Sequence, residues 1–396
     1  MLKEIKYLIF ISVILIFSFF VGRFYFSDTN IKNSYRSIDN INDKINIYAE
    51  NIPILENDTQ NIIEYVEQSN NKKKKNLIFG NYWKIMNNRR SFITGIKSTK
   101  LSLKERSFLR KYRPWGIILF SRNIKDIRQT LKLTNSIRNF FKDKNYPILI
   151  DQEGGRVNRL KNIISFENLT SEFFGERYIK NYKEFKFVYK LFIDKTSYLL
   201  KSIGVNINTV PVLDLKIKGT SNVIGDRSFS KNPKIVSKIG EYCIRYFHEN
   251  RIGTIMKHIP GHGNAKVDSH FYTPTVKKNL SYLSRNDFLP FKNKNTLFAM
   301  TAHIIFSRID SINTVTHSKK IIKIIRNKIG FKNILISDDL SMKSLKNNLE
   351  NNTIRTFNSG CNLALHCNAN FKEMIIVGKN SPLVDKFIIK KNFRIL

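Results

Sequence analysis

Eight short apolar runs between residues 92 and 367 limit what this chain can fold into more than any other feature of its sequence. They are "FITGI" (92–96), "WGIILF" (115–120), "PILID" (147–151), "VNINTVPVLD" (205–214), "TIMKHIP" (254–260), "LFAMTAH" (297–303), "ILISDD" (334–339) and "LALHC" (363–367). Amphipathic stretches lie between most of them. In "HSKKIIKIIRNKIGF" (317–331), isoleucines at 321, 322, 324, 325 and 329 form a helical i, i+3, i+4 stripe. "IRQTLKLTNSIRNFF" and "SKIGEYCIRYFHEN" read the same way. A strand that is apolar at nearly every position is covered on both faces, and helices between such strands make the sheet parallel. Eight of these units predict an α/β fold, a closed (β/α)8 barrel of the TIM type forming a single catalytic domain. A doubly wound open sheet is the alternative.

Polar residues punctuate these runs. Asp151, Asp214, Lys257 with His258, His303, Asp338 with Asp339, and His366 each fall at the carboxyl end of a run. One polar residue can simply end a strand. Six such endings predict a shared rim, because a parallel barrel brings all its carboxyl ends to one face, where sites of this fold are built.

The bulk composition is that of a folded protein, 42% hydrophobic and 25% charged over 396 residues. The net charge of +37 invites a nucleic-acid reading. The excess is spread along the whole chain beside many Asn, Ile, Phe and Tyr, without a basic stripe or an RNA-binding signature, so no nucleic-acid partner is expected. Cys243, Cys361 and Cys367 lack metal-ligand spacing and imply no disulfide framework. "YLIFISVILIFSFFV" (7–21) follows Lys3 and Lys6 and is not followed by a small-residue cleavage site, which favours an uncleaved anchor over a removed signal. The expected organisation is a membrane anchor over 1–26, a polar tether over 27–91 ending in "EQSNNKKKKN", and the barrel over 92–396. The side of the membrane on which the barrel lies is left open.

Three histidines of seven crowd into "KHIPGHGNAKVDSH" (257–270). His258 and His262 are four apart, yet Pro260 and Gly261 prevent the helix that would make this a metal-binding face. A metal held by His258, His270 and Asp338 is one alternative, which a chelator would test. A proton-transfer site needs less. Asp268 and His270, two apart, emerge on one side of an extended segment, and the carboxylate then fixes the imidazole tautomer and stabilises its cation. "ILISDDLSM" sets two aspartates past a buried strand. One can cap the following turn while the other faces a sugar centre opposite an acid, the arrangement of retaining glycoside hydrolysis. "IDQEGGRVNRL" (150–160) offers Asp151, a turn at Gly154 and Gly155, and Arg156 and Arg159; "GDRSF" (225–229) adds Arg227.

These blocks, with "MTAHI", "RPWGIILFSRN" and "SGCNLALHCN", resemble in order the signatures of the bacterial β-N-acetylglucosaminidases of glycoside hydrolase family 3. The resemblance runs from about residue 92 to about 385. It implies a metal-free and cofactor-free, two-step retaining hydrolysis of terminal N-acetylglucosamine from peptidoglycan turnover fragments. Asp338 is then the nucleophile, and His270 held by Asp268 is the acid/base. Asp151, Arg159, Arg227, Lys257 and His258 bind the sugar, while Gly261 and His262 shape the loop, His262 without a direct chemical part. Members of this kind are usually cytoplasmic and begin near the first strand, so the 91 leading residues depart from the pattern and point to a membrane-tethered enzyme. A monomer is expected. A relative acting on another β-glycoside, such as a β-glucoside, and an inactive sugar-binding module are the competing readings. The intact KH…DSH loop disfavours both.

Overall fold

The structure is a computed structural model and describes residues 14–21, 23, 86–217, 219 and 222–392. The chain divides into two compact units, Met1–Lys74 and Lys75–Leu396. Of the first, only a helical stretch over 14–21 and residue 23 is described; its apolar side chains from Ile14 to Val21 are exposed. Most of the expected anchor, and the tether as far as residue 85, lie outside the described residues. Among the described residues no helix is long and apolar enough to cross a membrane.

The second unit is built on eight strands: β1 (Arg90–Gly95), β2 (Pro114–Leu119), β3 (Ile148–Ile150), β4 (Ile207–Asn208), β5 (Gly253–Ile259), β6 (Phe298–Thr301), β7 (Ile334–Asp339) and β8 (Leu363–His366). Each pairs in parallel with the next, and β8 pairs in parallel with β1, closing the barrel. Alternate residues explain the unbroken apolar runs. Ile93, Trp115, Ile118, Leu149, Ile255, Phe298, Ile334 and Leu363 pack inside the barrel. Their neighbours Phe92, Ile117, Leu119, Ile148, Ile150, Met256, Ala299, Leu335 and Ala364 face the surrounding helices. Both sets are removed from water, at roughly 2 kcal/mol of burial for each large side chain. Met86, Val384, Ile388 and Ile389 join the inner cluster, so segments flanking the barrel in sequence contribute to the same core.

The helices follow their sequence signals. Ile127–Phe141 starts at Asp126, whose carboxylate accepts the Gln129 N–H at 2.7 Å, and Pro233 opens Pro233–Glu249 behind an Asn232 cap. Two expectations are modified. The stripe over 317–331 begins only at Lys319, where the Ser318 side chain caps the helix, and it widens after Ile324 into a π turn, Ile325–Ile329. The wider turn keeps Ile321, Ile325 and Ile329 on the buried side before Gly330 ends the helix at φ 85°. The run 205–214 contributes only Ile207–Asn208 to the ladder, because Pro211 has no N–H to give. Its remainder lies along β5 through Leu213 N–H to Lys257 O (2.7 Å) and Lys257 N–H to Pro211 O (3.0 Å). That path delivers Asp214 beside His258.

Because all eight strands are parallel, their carboxyl ends share one rim. There the segment after β5 forms a small parallel ribbon, Thr275–Val276 with Ile305–Phe306, which attaches it to the segment after β6.

Candidate active site

The rim carries a charge lattice centred on Lys257. Its side chain is buried inside β5 and donates to Asp151 Oδ1 at 2.6 Å, Glu153 Oε1 at 2.7 Å and Thr209 Oγ1 at 2.9 Å. Arg227 reaches Glu153 through Nε and Nη2, both at 2.8 Å, in a two-pronged pairing. Arg159 donates to Asp151 Oδ2 at 3.2 Å and lies over the Phe120 ring. The turn after β3 that brings Asp151, Glu153 and Arg159 together uses Gly154 at φ 98° and Gly155 at φ 54°. A Cβ on Gly154 would come within 2.3 Å of Leu169 O. Burial alone would raise both carboxyls. The Lys257 and Arg159 charges hold Asp151 well below the usual range, and Arg227 and Lys257 hold Glu153 at about 2.

A second layer orients the histidines. His258 Nδ1–H donates to Asp214 Oδ2 at 2.6 Å, and the His262 backbone N–H reaches Asp214 Oδ1 at 2.7 Å. Asp214 is fully buried; burial would raise its carboxyl, but the His258 and His262 interactions outweigh that and lower it. His262 Nε2 pairs with Ser269 Oγ at 2.9 Å, so the residue between Asp268 and His270 is anchored to the loop that precedes it. His270 Nδ1 lies 2.8 Å from Asp268 Oδ1, which also accepts the His270 backbone N–H at 2.8 Å. The pairing is made by a turn, with Phe271 and Tyr272 N–H bonded to Asp268 O, and not by the extended segment that the two-residue spacing suggested. The carboxylate accepts the hydrogen bond from Nδ1–H, which leaves Nε2 for a ligand.

Asp338 and Asp339 divide their work. Asp339 accepts from Ser341 N (3.1 Å), Ser341 Oγ (2.8 Å) and Cys367 N (3.2 Å), binding the ends of β7 and β8 together. Asp338 Oδ1 accepts the Asp339 N–H at 2.8 Å. Burial would raise the Asp338 carboxyl; the His258 and His303 imidazoles and that N–H outweigh it and lower it. Asp338 shares a cavity of about 350 Å³ with Asp151, Arg159, Arg227, Lys257, His258, Asp268 and His270. All eight residues to which the family resemblance gave a catalytic or sugar-binding part therefore line one space. His303 and His366 do not: His303 bonds Thr316 Oγ1 and Asp339 O, and His366 bonds Glu373. Glu153 and Thr209, which carry much of the lattice, escaped sequence reasoning. Among the described residues no three His, Cys, Asp or Glu side chains are grouped to hold a metal ion, the trio His258, His270 and Asp338 included.

Residues 85–395 match the glycosyl hydrolase family 3 N terminal domain. The chain belongs to glycoside hydrolase family 3. A β-hexosaminidase of Actinobacillus pleuropneumoniae serotype 5b (strain L20) is 34% identical over 283 residues, 69% of this chain and 79% of the relative. One from Thioalkalivibrio sulfidiphilus (strain HL-EbGR7) is 30% identical over 279 residues, with the same coverage. Among solved structures, NagZ from Neisseria gonorrhoeae in complex with N-trifluoroacetyl-D-glucosamine superposes with a TM-score of 0.71 at 25% identity, covering 78% of this chain and 91% of that one. As a family 3 member the chain is a glycoside hydrolase. Its cavity brings together the buried carboxylate of Asp338, the Asp268–His270 pair and the charge lattice around Lys257.

Burying histidines in this barrel has a cost in acid. Burial pushes His262 down to about 4 and His317 to about 3, and it also lowers His248 and His303. Below 6.5, the ordinary histidine value, the unfolded chain therefore binds more protons than the folded one. Glu153 adds to this between its ordinary 4.5 and about 2, whereas Asp287, raised by burial to about 6 from 3.8, opposes it between those values. The histidines outnumber Asp287. The melting temperature is expected to fall as the pH drops below 6.5, and more steeply below 4.5. Thermal unfolding followed by circular dichroism from pH 8 to 4 measures it, and a melting temperature that rises between pH 6.5 and 4 contradicts this account.

Proposed function

We propose that this protein is an exo-acting, retaining β-N-acetylglucosaminidase that releases terminal N-acetylglucosamine from peptidoglycan turnover fragments such as GlcNAc–anhydro-N-acetylmuramic acid. The observation that carries the reading is the shared cavity: Asp338 from β7 and the Asp268–His270 pair from the loop after β5 open onto the same 350 Å³ as the sugar-reading lattice. The names of the similar proteins supply the sugar.

In the first step an Asp338 carboxylate oxygen attacks the anomeric carbon. The bond to the leaving oxygen breaks as His270 Nε2–H protonates that oxygen, and Asp268 stabilises the imidazolium before it gives up its proton. In the second step His270 Nε2 takes a proton from water, the water oxygen attacks the anomeric carbon, and Asp338 departs. Two inversions return the β configuration. Arg227, Lys257, Asp151, Arg159 and His258 hold the sugar hydroxyls. Lys257 and Arg227 are braced by Glu153, and His258 by Asp214, so these donors are set before a substrate arrives. No metal or cofactor takes part in this scheme. A monomer is the proposed working unit. The apolar segment at 7–21 is proposed to tether the barrel to a membrane; recovery of the intact protein wholly in the soluble fraction contradicts that.

The protein is expected to hydrolyse a chromogenic β-N-acetylglucosaminide at least about tenfold faster than the matching β-glucoside, the order of discrimination that one recognised substituent gives. Proton NMR of the first product is expected to display the β anomer. Preference for the glucoside would point to a relative with another sugar, an α first product would exclude the double displacement, and no turnover of either would support a binding module.

A further inference from the structure

We propose that Phe271, with Lys343 beside it, is the platform on which the leaving-group sugar rests, and that it favours a leaving sugar bearing a carboxylate. The inference rests on the proposed function, because a general acid at His270 fixes where the departing half of the substrate must be. His270 gives its proton to the oxygen that leaves, so the sugar joined to that oxygen lies on the outer side of His270.

What the chain places there is unusual for a solvent-facing loop. Phe271 directly follows His270 and is 60% exposed, and Tyr272 beyond it is 67% exposed. The turn that carries them is held in place. The His270 carbonyl accepts the Lys343 N–H at 3.3 Å, and Thr273 Oγ1 donates to Ser344 O at 2.8 Å. Both bonds fix the turn to the segment that follows Asp338. In that segment Met342 lines the cavity, and the ammonium of its neighbour Lys343 stands 5.9 Å from the Phe271 ring. Phe271 thus lies at the seam between acid and nucleophile segments, next in sequence to His270, which lines the cavity.

An exposed aromatic face suits the apolar C–H face of a pyranose, and a ring this close to a pinned main chain loses little freedom when it is covered. The charge is one-sided. Between residues 264 and 278 Asp268 is the only acidic residue, and it is engaged by His270, while Lys266, Lys277 and Lys278 share that stretch and Lys343 approaches it from the other segment. A lactyl carboxylate on the leaving sugar, or a peptide acid attached to it, meets a cationic surface at this point.

The test compares leaving groups on one enzyme. Three substrates share the same N-acetylglucosamine: its β-fluoride, whose leaving group is a single atom; N,N′-diacetylchitobiose, whose leaving sugar is neutral; and GlcNAc–N-acetylmuramic acid, whose leaving sugar carries a carboxylate. In the variant Phe271→Ala, the ratio of kcat/KM for chitobiose to that for the fluoride is expected to fall about tenfold, and Phe271→Trp is expected to restore it. In Lys343→Met, the ratio for the muramic disaccharide to chitobiose is expected to fall about threefold to tenfold. Equal losses on fluoride and disaccharide in Phe271→Ala would mean that the ring only supports the loop, and unchanged ratios would place the leaving sugar elsewhere; either overturns the proposal. A wild-type protein inactive on the fluoride overturns the catalytic reading itself, and an active one with unaltered ratios overturns only the platform.

Discussion

Asp338→Ala is expected to lower kcat by about 10⁵-fold, the scale on which enzymes lose turnover when a covalent nucleophile is removed. The carboxylate stands at the end of β7, and its neighbours keep it ionised: the His258 and His303 imidazoles and the Asp339 N–H together outweigh the burial that would protonate it. Alanine removes the attacking oxygen without disturbing the barrel, because the ties between the β7 and β8 ends run through Asp339 and not through Asp338. Asp339→Ala therefore serves as a contrast, expected to lower the melting temperature. Binding is retained in Asp338→Ala, since the lattice of Asp151, Glu153, Lys257 and Arg227 is unaltered. The sharper readout is rescue. Azide added to Asp338→Ala, with an activated aryl β-N-acetylglucosaminide, fits the vacated space and attacks from the same face as the carboxylate, giving the α-glycosyl azide. Turnover within about tenfold of the wild type, or a β-azide product, moves the nucleophile elsewhere.

The barrel could be read from the sequence because a strand buried on both faces leaves an unbroken apolar run, and Ile93 against Phe92 or Ile118 against Ile117 illustrate the two destinations of such neighbours. Where one strand held a proline the reading overran: Pro211 cuts β4 to two residues and the rest pairs singly along β5. Site residues at strand ends were equally legible, because parallel strands deliver Asp151, Lys257 and Asp338 to one rim whatever the loops do. Periodicity is silent on which way a strand-end side chain turns once it leaves the ladder. His303 and His366 have the same sequence credentials as His258, yet both turn to supporting partners, Thr316 and Glu373. Glu153 was missed for a related reason. It sits in a turn rich in polar residues, and the partner that gives it meaning, Arg227, is 74 positions away. The loop-shaping part that the resemblance implies for His262 has a purpose in its bond to Ser269, which anchors the residue between Asp268 and His270.

His270→Ala is expected to lower kcat/KM by about 10³-fold for substrates that leave as a sugar, within the range general acid catalysis supplies. The loss depends on the leaving group, and that dependence separates a proton donor from a residue that merely shapes the loop. A sugar hydroxyl is a poor leaving group without a proton, whereas a 2,4-dinitrophenolate departs unaided. On the dinitrophenyl glycoside kcat/KM, which reports the first step, is expected to fall about tenfold or less, while kcat falls further because the second step still lacks its base. Asp268→Asn tests the backing carboxylate separately. The pair is linked at 2.8 Å through Nδ1, and an amide that can donate there favours the opposite tautomer, so a loss of about 10²-fold with the same leaving-group dependence is expected. The half-exposed setting of the imidazole matters here, because the 268–272 turn is held by Phe271 and Tyr272 N–H to Asp268 O and by Ser269 to His262, none of which needs the His270 ring. The fold should tolerate the substitution. If His270→Ala slows the sugar and dinitrophenyl substrates by the same factor, with an unchanged melting temperature, the proton comes from another group and the acid assignment fails.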